Sequence, residues 1–205
     1  MNLPKEVIVV DDGSTDGTRE ILRNEVEARL PDVQVVYHER NRGKGAAVRT
    51  ALARATGTVC IIQDADLEYD RREYCQLLEP LLDGRADAVC GSRFLGGPHR
   101  VHLFWPYVGN KLLMTFSNLL TNLNLTDIET CDKMIRTDLL RSLALRANGF
   151  DIDPELTVKL AKARARMYEV PISYSGRDYA QGKKVGWPDG VKVLWSLVKT
   201  SFSNR

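Results

Sequence analysis

Three carboxylates alternate along the stretch QDADLEYD, and their spacing is that of side chains able to share one ligand. Asp64, Asp66 and Glu68 directly follow the apolar run at 58–63. Carboxylates spaced in this way can converge on a hard divalent cation such as Mg²⁺ or Mn²⁺, which typically shares a few carboxylates with substrate phosphates. A cation held there would neutralise a departing pyrophosphate. An Asp-x-Asp pair alone is a weak signal, because solvated acids at a strand end look the same.

A second acidic turn lies in VIVVDDGSTDGT, where an apolar run ends at Asp11 and Asp12. A calcium loop of the EF-hand type starting at Asp12 needs Glu at its twelfth position, which here is Arg23. The Gly-Lys-Ser/Thr ending of a P-loop is absent, and the glycine spacing differs from the dinucleotide fingerprint. The turn is therefore either merely polar or presents carboxylates to a ligand.

Glycines flank Lys44 in the stretch NRGKGAAV, just before a predicted helix. Backbone amides and a cation at a helix start can hold an anion. A glycine-rich helix start without a ligand has the same sequence pattern. Both interpretations remain open for this stretch.

Strand-like and helix-like runs alternate along the chain. Apolar, β-branched runs predict strands at 6–10, 33–38, 58–63, 86–91 and 167–174, and amphipathic runs predict helices at 18–30, 44–55, 72–82, 153–165 and 189–202. This order predicts an α/β domain with a mostly parallel sheet and helices on both faces. The acidic turns and the GSRF stretch would then lie at the carboxyl ends of strands, where open parallel sheets bind ligands.

The composition is that of a soluble globular protein of 205 residues, which we expect to form one domain over 1–205. Four cysteines without metal-ligand spacing predict reduced thiols in a cytoplasmic protein. No apolar run approaches the ~20 residues that span a bilayer, and the N-terminus lacks a signal-peptide pattern. Net charge is −5 over the first 158 residues and +7 from Lys159 onward. The basic segment favours phosphates or acidic lipid as neighbours, and nothing in it resembles a nucleic-acid module.

Taken together, the motifs resemble those of family 2 glycosyltransferases. VIVVDDGSTDGT, NRGKGAAV, QDADLEYD, GSRF, DIETCDK and VPISYSGRDYAQGKKVGW occur in the order found in the dolichyl-phosphate mannosyltransferase-like branch, which includes bacterial polyprenyl-phosphate sugar transferases. The resemblance covers nearly the whole chain. It implies a Rossmann-like GT-A fold, a UDP- or GDP-sugar donor, a polyprenyl phosphate acceptor, Mg²⁺ or Mn²⁺, and inversion at the anomeric carbon.

The resemblance also implies roles for individual residues. Metal ligation falls to Asp64, Asp66 and Glu68, although the family often has Gln or another polar residue at the position of Glu68. The residues implied to bind the nucleotide sugar are Asp11, Asp12, Lys44, Asp64, Ala65, Arg93 and Lys183. Arg177 would hold a donor or acceptor phosphate and take part in catalysis, and Asp127 and Glu129 would lie near the transferred sugar.

The need for a general base depends on the acceptor. A hydroxyl acceptor needs a nearby carboxylate such as Asp127 or Glu129 to remove its proton. A phosphate monoester, with a second pKa of about 6, is largely ionised at neutral pH and needs positioning instead. Arginine suits that task, and Arg100 and Arg177 are the candidates. Phe104 and Trp105 would either meet a lipid tail or pack in the core.

The C-terminal segment 187–205 is predicted to contain an amphipathic helix. Its apolar residues follow spacings of three and four, which fits both a helix packed on the core and a helix lying on anionic lipid. Many relatives continue into transmembrane helices, whereas this chain ends at Arg205. With a lipidic acceptor, we expect peripheral contact at the cytoplasmic face of a membrane. The sequence does not specify the oligomeric state.

One part of the family pattern is missing at the N-terminus. The family begins with a further strand and a Pro-x-Tyr/Phe-Asn-Glu type segment, whereas only MNLPK precedes the strand here. Because that first strand is usually internal to the sheet, we expect exposed ladder groups, a shortened chain, weak donor binding, or a partner chain in the gap. The alternatives are transfer to a saccharide hydroxyl and a non-catalytic remnant that binds nucleotide sugar. A nucleotidyltransferase would usually carry a glycine- and arginine-rich activating loop, which we do not find.

Overall fold

The structure is a computed structural model that describes residues 4–66, 68–96, 104–175 and 187–203. Strands and helices alternate through most of this length, as predicted. The strands are β1 (Val7–Asp11), β2 (Val33–Tyr37), β3 (Val59–Ile62), β4 (Ala88–Ser92), β5 (Lys133–Arg136) and β6 (Met167–Pro171). The helices are α1 (Thr18–Ile21), α2 (Lys44–Leu52), α3 (Tyr74–Leu82), α4 (Phe104–Thr121), α5 (Thr137–Ser142), α6 (Ile152–Lys162) and α7 (Trp187–Phe202). A π-helical segment, Leu22–Glu27, continues α1, and a 3₁₀ turn, Arg71–Glu73, precedes α3.

The described strands form two sheets. β1 and β2 pair in parallel, and the second sheet has the order β3-β5-β4-β6. β5 runs antiparallel to both β3 and β4, whereas β4 and β6 are parallel. The sheet is therefore mixed, and β5 is the strand that the sequence patterns did not predict. Of the described strands, β1 pairs with β2 alone and β3 with β5 alone.

Helices cover both faces of the four-stranded sheet. Successive residues of a strand point to opposite faces, so one strand contributes to two buried clusters. Ala88 and Ile135 belong to a buried cluster with residues from α5 and α6. Their neighbours Val89 and Met134 belong to a second cluster, built with Leu77 of α3 and its surroundings. The alternation of the core residues fixes the register of β4 against β5.

A third buried cluster lies between helices away from the sheet. It joins Met114 of α4, Val158 of α6, and Val193 and Leu197 of α7. α7 thus packs on the protein through one face, as one of the two sequence interpretations required. None of the helices in the described ranges is long and apolar enough to cross a membrane.

A side-chain contact joins the beginnings of β1 and β3. The Glu6 carboxylate accepts hydrogen bonds from the amides of Thr56 and Gly57, at 2.5 and 2.7 Å. Lys44 at the start of α2 pairs with Asp64 just after β3. Contacts therefore connect the two sheets near the start and near the end of β3. The carboxyl ends of β1 and β3 consequently lie on the same side of the molecule.

Candidate active site

The loop after β3 carries the predicted metal-binding carboxylates. Asp64 Oδ2 lies 3.1 Å from Lys44 Nζ, and Asp66 Oδ1 accepts a hydrogen bond from the Glu68 amide at 3.3 Å. Ala65 is exposed between them. The short β3 ends at Ile62 because the acids that follow cannot continue its apolar pattern, so the carboxylates lie on a loop at the strand end.

Glu68 contacts the segment that follows β6. Its carboxylate accepts a hydrogen bond from the Tyr174 hydroxyl at 3.0 Å, and its carbonyl accepts one from the Ser175 amide at 2.9 Å. The residues that the structure describes contain no group of three His, Cys, Asp or Glu side chains able to hold a metal ion. The three predicted metal ligands do not form such a group, and metal binding by Asp64 and Asp66 stays a prediction.

A buried ionic network, which the sequence did not reveal, stands behind Asp64. The Lys44 ammonium contacts Asp64 Oδ2 and Asp153 Oδ2, both at 3.1 Å. The other oxygen of Asp153 lies 2.9 Å from Nζ of Lys133, a fully buried side chain that also donates to the carbonyls of Ile128 and Thr130. Burial alone would raise the pKa of Asp153, but the charges of Lys133 and Lys44 hold it below its ordinary value.

Lys44 owes its position to the glycines on either side of it. A Cβ on Gly45 would lie 2.2 Å from the Ala147 carbonyl oxygen, and one on Gly43 would lie 2.3 Å from that of Asn148. Gly43 also has a positive φ of 92°, which favours glycine. The glycines therefore allow the 147–148 backbone to approach α2 closely, and this approach directs Lys44 towards the acidic loop.

The two predicted nucleotide-binding aspartates of the first turn are bound within the protein. Asp12 accepts hydrogen bonds from the amides of Arg42 and Gly43 at 2.9 and 2.7 Å and lies 2.6 Å from His38 Nδ1. Asp11 pairs with Arg19 Nε at 2.7 Å. Burial alone would raise the pKa of Asp12, but these hydrogen bonds lower it below its ordinary value. Asp12 thus fixes the start of α2, and nucleotide contact by either aspartate stays a prediction.

Arg93 and Asp127 form a bidentate ion pair at the end of β4. The two Arg93–Asp127 contacts measure 2.6 and 2.8 Å, and both side chains are almost completely buried. Tyr174 covers the guanidinium, whose central carbon lies 5.0 Å from the ring centroid. Both oxygens of the Asp127 carboxylate are therefore engaged by Arg93, and a role for Asp127 as a base stays a prediction.

Glu129, the other predicted acidic residue near the sugar, is held differently. Its Oε1 is buried and has no hydrogen-bond partner among the described residues. Burial, together with the nearby charge of Asp153, raises the pKa of Glu129 to about 7. A carboxyl with this pKa can exchange a proton near neutrality, so the prediction of a general base at Glu129 is chemically reasonable.

Asp132 is a further buried carboxyl, for which the sequence predicted no role. Both of its carboxylate oxygens are buried without a hydrogen-bond partner in the described ranges. Burial first, and then the charges of Glu73 and Asp64, raise the pKa of Asp132 to about 7. Asp132 is therefore a buried carboxyl close enough to other acidic side chains, Glu73 and Asp64 among them, for their charges to raise its pKa. Asp132 lies in the DIETCDK motif, directly before β5, but the motif was given no role at this position.

Three predicted phosphate-binding residues, Arg100, Arg177 and Lys183, lie outside the described residues. The described chain leads towards two of them through Tyr174, which contacts both Glu68 and Arg93. The roles assigned to these three basic side chains stay predictions. Phe104 and Trp105, by contrast, are described and exposed at the start of α4.

Comparison with known proteins identifies the family of the chain. The family model described as "Glycosyl transferase family 2" matches residues 1–144. The chain is 31% identical to the undecaprenyl-phosphate mannosyltransferase of Micrococcus luteus over 207 residues, covering 94% of this chain and 82% of that protein. It is also 31% identical to the polyprenol monophosphomannose synthase of Mycolicibacterium smegmatis over 191 residues, covering 88% and 70%.

A solved structure supports the same conclusion for the fold. The glucosyl-3-phosphoglycerate synthase of Mycobacterium tuberculosis, crystallised with Mn²⁺, UDP-glucose and phosphoglyceric acid, superposes with a TM-score of 0.65 at 21% identity. The match covers 95% of this chain and 68% of that one. The α/β prediction is thereby confirmed. The chain belongs to glycosyl transferase family 2 and has the GT-A fold.

Proposed function

We propose that this protein transfers a sugar from a nucleotide-diphosphate sugar to a polyprenyl phosphate, with inversion at the anomeric carbon, in one catalytic domain. The observation that carries the acceptor class is the pair of relatives named above, both of which are named for polyprenyl phosphates and are 31% identical to this chain. The residues at the strand ends supply the carboxylates and cations that handling a diphosphate requires.

The donor diphosphate would bind where Lys44 and the acidic loop meet. The side chains of Asp64 and Asp66 suit Mg²⁺ or Mn²⁺, which usually take one or two carboxylates and complete their coordination with substrate phosphates. The two buried oxygens of Asp132, which have no hydrogen-bond partner in the described ranges, fit a nearby divalent cation, and the similar crystal structure of the mycobacterial synthase contains Mn²⁺. When bound, the cation would neutralise charge on the leaving diphosphate.

The acceptor chemistry follows from the ionisation of the acceptor phosphate. A polyprenyl phosphate is already ionised at neutral pH, so its oxygen can attack without a protein base. The Arg93–Asp127 pair would fix the wall of the site on the sugar side, and Arg100, Arg177 and Lys183 are proposed to hold phosphates. Because the acceptor is a membrane lipid, the reaction is proposed to take place peripherally at the cytoplasmic face of a membrane.

A product assay tests this proposal directly. Purified protein is incubated with UDP-glucose or GDP-mannose, undecaprenyl phosphate in detergent, and Mg²⁺ or Mn²⁺, and the lipid fraction is analysed by mass spectrometry. We expect a polyprenyl-phosphate hexose with one donor, and its anomeric configuration, read by NMR, should be opposite to that of the donor. The Asp66→Asn variant should fold normally and form no product.

Two results would overturn the proposal. Transfer to saccharide hydroxyls with no glycosylated polyprenyl phosphate would place the chain in another acceptor class. Absence of donor binding in calorimetric titrations of the folded protein, with and without Mn²⁺, would indicate a non-catalytic descendant. Full activity in Asp66→Asn would contradict only the assignment of Asp66 as a metal ligand and would leave the proposed sugar transfer in place.

A further inference from the structure

The ammonium group of Lys44 uses its whole hydrogen-bonding capacity inside the protein. A lysine ammonium has three N–H donors and no acceptor. Nζ of Lys44 lies 3.1 Å from Asp64 Oδ2, 3.1 Å from Asp153 Oδ2 and 3.7 Å from Cys131 Sγ. Three acceptors therefore face three donors. A phosphate oxygen can accept a hydrogen bond from Lys44 only when one of these contacts is given up.

Burial decides which of the three contacts can be exchanged. Cys131 is 2% exposed, and the side chain of Asp153 is 6% exposed. The side chain of Asp64, on the loop after β3, is 35% exposed. A ligand that arrives from solvent therefore reaches Lys44 on the side of Asp64, and the contact with Asp64 is the one that it can replace.

Asp153 is held in place independently of this exchange. Its second oxygen lies 2.9 Å from Nζ of Lys133, a fully buried side chain that also donates to the carbonyls of Ile128 and Thr130. Lys44 can therefore lose Asp64 and keep Asp153 as its counter-ion. The exchange does not leave an uncompensated buried charge, which would be costly.

Asp64 is also a proposed ligand of the divalent cation, so it faces two cationic partners. Two cations that share one carboxylate repel each other, and a divalent ion has twice the charge of an ammonium group. Lys44 would therefore bind Asp64 less tightly once Mg²⁺ or Mn²⁺ is present there. The N–H donor that is released can then form a charge-assisted hydrogen bond with a phosphate oxygen.

We propose that Lys44 couples cation binding to donor binding. Lys44 leaves Asp64 when a divalent cation binds there and donates to a phosphate oxygen of the nucleotide, while Asp153 acts as a positioning residue that retains the ammonium group. The cation and the nucleotide then bind cooperatively, and each raises the affinity for the other by the same factor. This inference rests on the proposed function, because it uses the donor and metal assignments made there.

Nucleotide titrations without a divalent cation test the release of Lys44. The probe is UDP or GDP, whichever the parent binds by calorimetry in the presence of Mn²⁺, and the titrations are then made in EDTA. Asp64→Asn releases Lys44 without a cation, so it should bind the nucleotide at least about tenfold more tightly than the parent, through one charge-assisted hydrogen bond. Asp66→Asn is the matched control, because it removes the same charge from the same loop, whereas Lys44 contacts Asp64. It should change the affinity by less than about threefold.

A double variant shows whether the gain requires Lys44. Lys44→Met should fold like the parent in circular dichroism, because Asp153 keeps its contact with Lys133. In the Lys44→Met background, Asp64→Asn should change the affinity for the nucleotide by less than about threefold, since the N–H donor is absent. The proposal is wrong if Asp64→Asn gives no gain in the parent, or if its gain persists without Lys44.

Manganese binding without nucleotide tests the competition at Asp64. Electron paramagnetic resonance detects free Mn²⁺ in a titration of the protein. Lys44→Met should bind Mn²⁺ at least about tenfold more tightly than the parent, because Asp64 no longer shares its charge with an ammonium group. Arg29→Gln is the control, since it removes a 70% exposed positive charge before β2 and should bind like the parent. Equal or weaker binding of Mn²⁺ by Lys44→Met would overturn the proposal.

Failure of the proposed function gives a different result. A parent that binds neither UDP nor GDP, with or without Mn²⁺, contradicts the donor site itself and the coupling with it. A parent that binds one nucleotide equally well with Mn²⁺ and with EDTA has the donor site and contradicts the coupling alone.

Discussion

Asp153 is the carboxylate on which two buried lysines depend. Its oxygens contact Lys44 at 3.1 Å and Lys133 at 2.9 Å, and Lys133 is fully buried. Replacing Asp153 with Asn would leave the ammonium of Lys133 without a carboxylate partner, whereas Lys44 would keep only Asp64. Removing one member of a buried ion pair costs more than the pair contributes, because the remaining charge stays buried without compensation.

We therefore expect Asp153→Asn to lower the free energy of unfolding by about 3 kcal/mol. Urea denaturation followed by circular dichroism measures this change. Asp138→Asn is the control, since that carboxylate is 72% exposed and its loss should change stability by less than about 0.5 kcal/mol. Equal midpoints for the parent and both variants would show that Asp153 does not hold the lysines.

Glu129 gives a prediction about pH. Its pKa rises from the ordinary 4.5 to about 7 on folding, mainly because of burial. Between these values the folded chain binds more protons at this residue than the unfolded chain, so its contribution to stability falls as pH rises. Glu129→Gln removes this term. The variant should therefore gain stability relative to the parent between about pH 5 and about pH 8, by up to about 3 kcal/mol.

The control for this measurement is Asp87→Asn. Hydrogen bonds from Arg166 lower the pKa of Asp87 to about 2, so its ionisation is complete in both states at neutral pH. Its stability difference from the parent should stay constant across the same range. A Glu129→Gln difference that is also independent of pH would exclude a raised pKa at Glu129.

At the scale of single residues, the sequence predicts those site residues that directly follow a recognisable strand. Asp64 and Asp66 were selected in this way and Lys44 by the glycines that flank it before a helix, and Asp64 and Lys44 are paired in the structure. Lys133 and Asp153 were missed because a buried charge is revealed only by its partner, and these partners are brought together by β5 and α6. In the sequence, Lys133 is the last residue of the DIETCDK motif, with no role assigned to it, and Asp153 only begins a helix.

The same limit applies to whole elements. β5 has four residues, KMIR, and its buried first residue is a lysine, so no strand pattern was visible. α4 contains a proline, a glycine and apolar residues all around its circumference, which obscures the helical period. The long, clearly periodic strands and helices were predicted, and their bounds differ from the structure by only a few residues.

The close approach of α2 to the 147–148 backbone gives a prediction at the element scale. Gly45→Ala would place a Cβ 2.2 Å from the Ala147 carbonyl oxygen, so the loop must move. We expect a loss of roughly 1–3 kcal/mol in the free energy of unfolding, as for other overpacked sites. Thermal and urea denaturation measure this loss.

Gly109→Ala is the matched control, the same substitution at a helix position where the added methyl group meets no neighbouring atom. No atom lies within 4 Å of a Cβ built on Gly109, which belongs to α4. Alanine should therefore stabilise the protein by about 0.5–1 kcal/mol through helix propensity. Equal effects of the two substitutions would mean that helix propensity, and not the contact with Ala147, decides the outcome at Gly45.

At the scale of the whole molecule, the two sheets should differ in protection from hydrogen exchange. β1 and β2 form a two-stranded sheet, and most of its residues are only partly buried. β4 is buried along its full length and pairs on both sides. We expect amides of 7–11 and 33–37 to exchange at least about tenfold faster than those of 88–92, because local opening there exposes less apolar surface. Mass spectrometry of peptic peptides measures this, and equal protection would show that the sheets open as one unit.

The pairing of the strands also sets the order in which the fold can assemble during synthesis. Val7 pairs with Val33, so the first sheet needs only the beginning of the chain. Val59 pairs with Arg136 and Ala88 with Met167, so the second sheet waits for most of the chain to leave the ribosome. Pairing over such distances is slow, since a long loop must close first. The strand ends that carry Asp64 and Arg93 therefore reach their final arrangement last, and until then β3 and β4 remain accessible to chaperones.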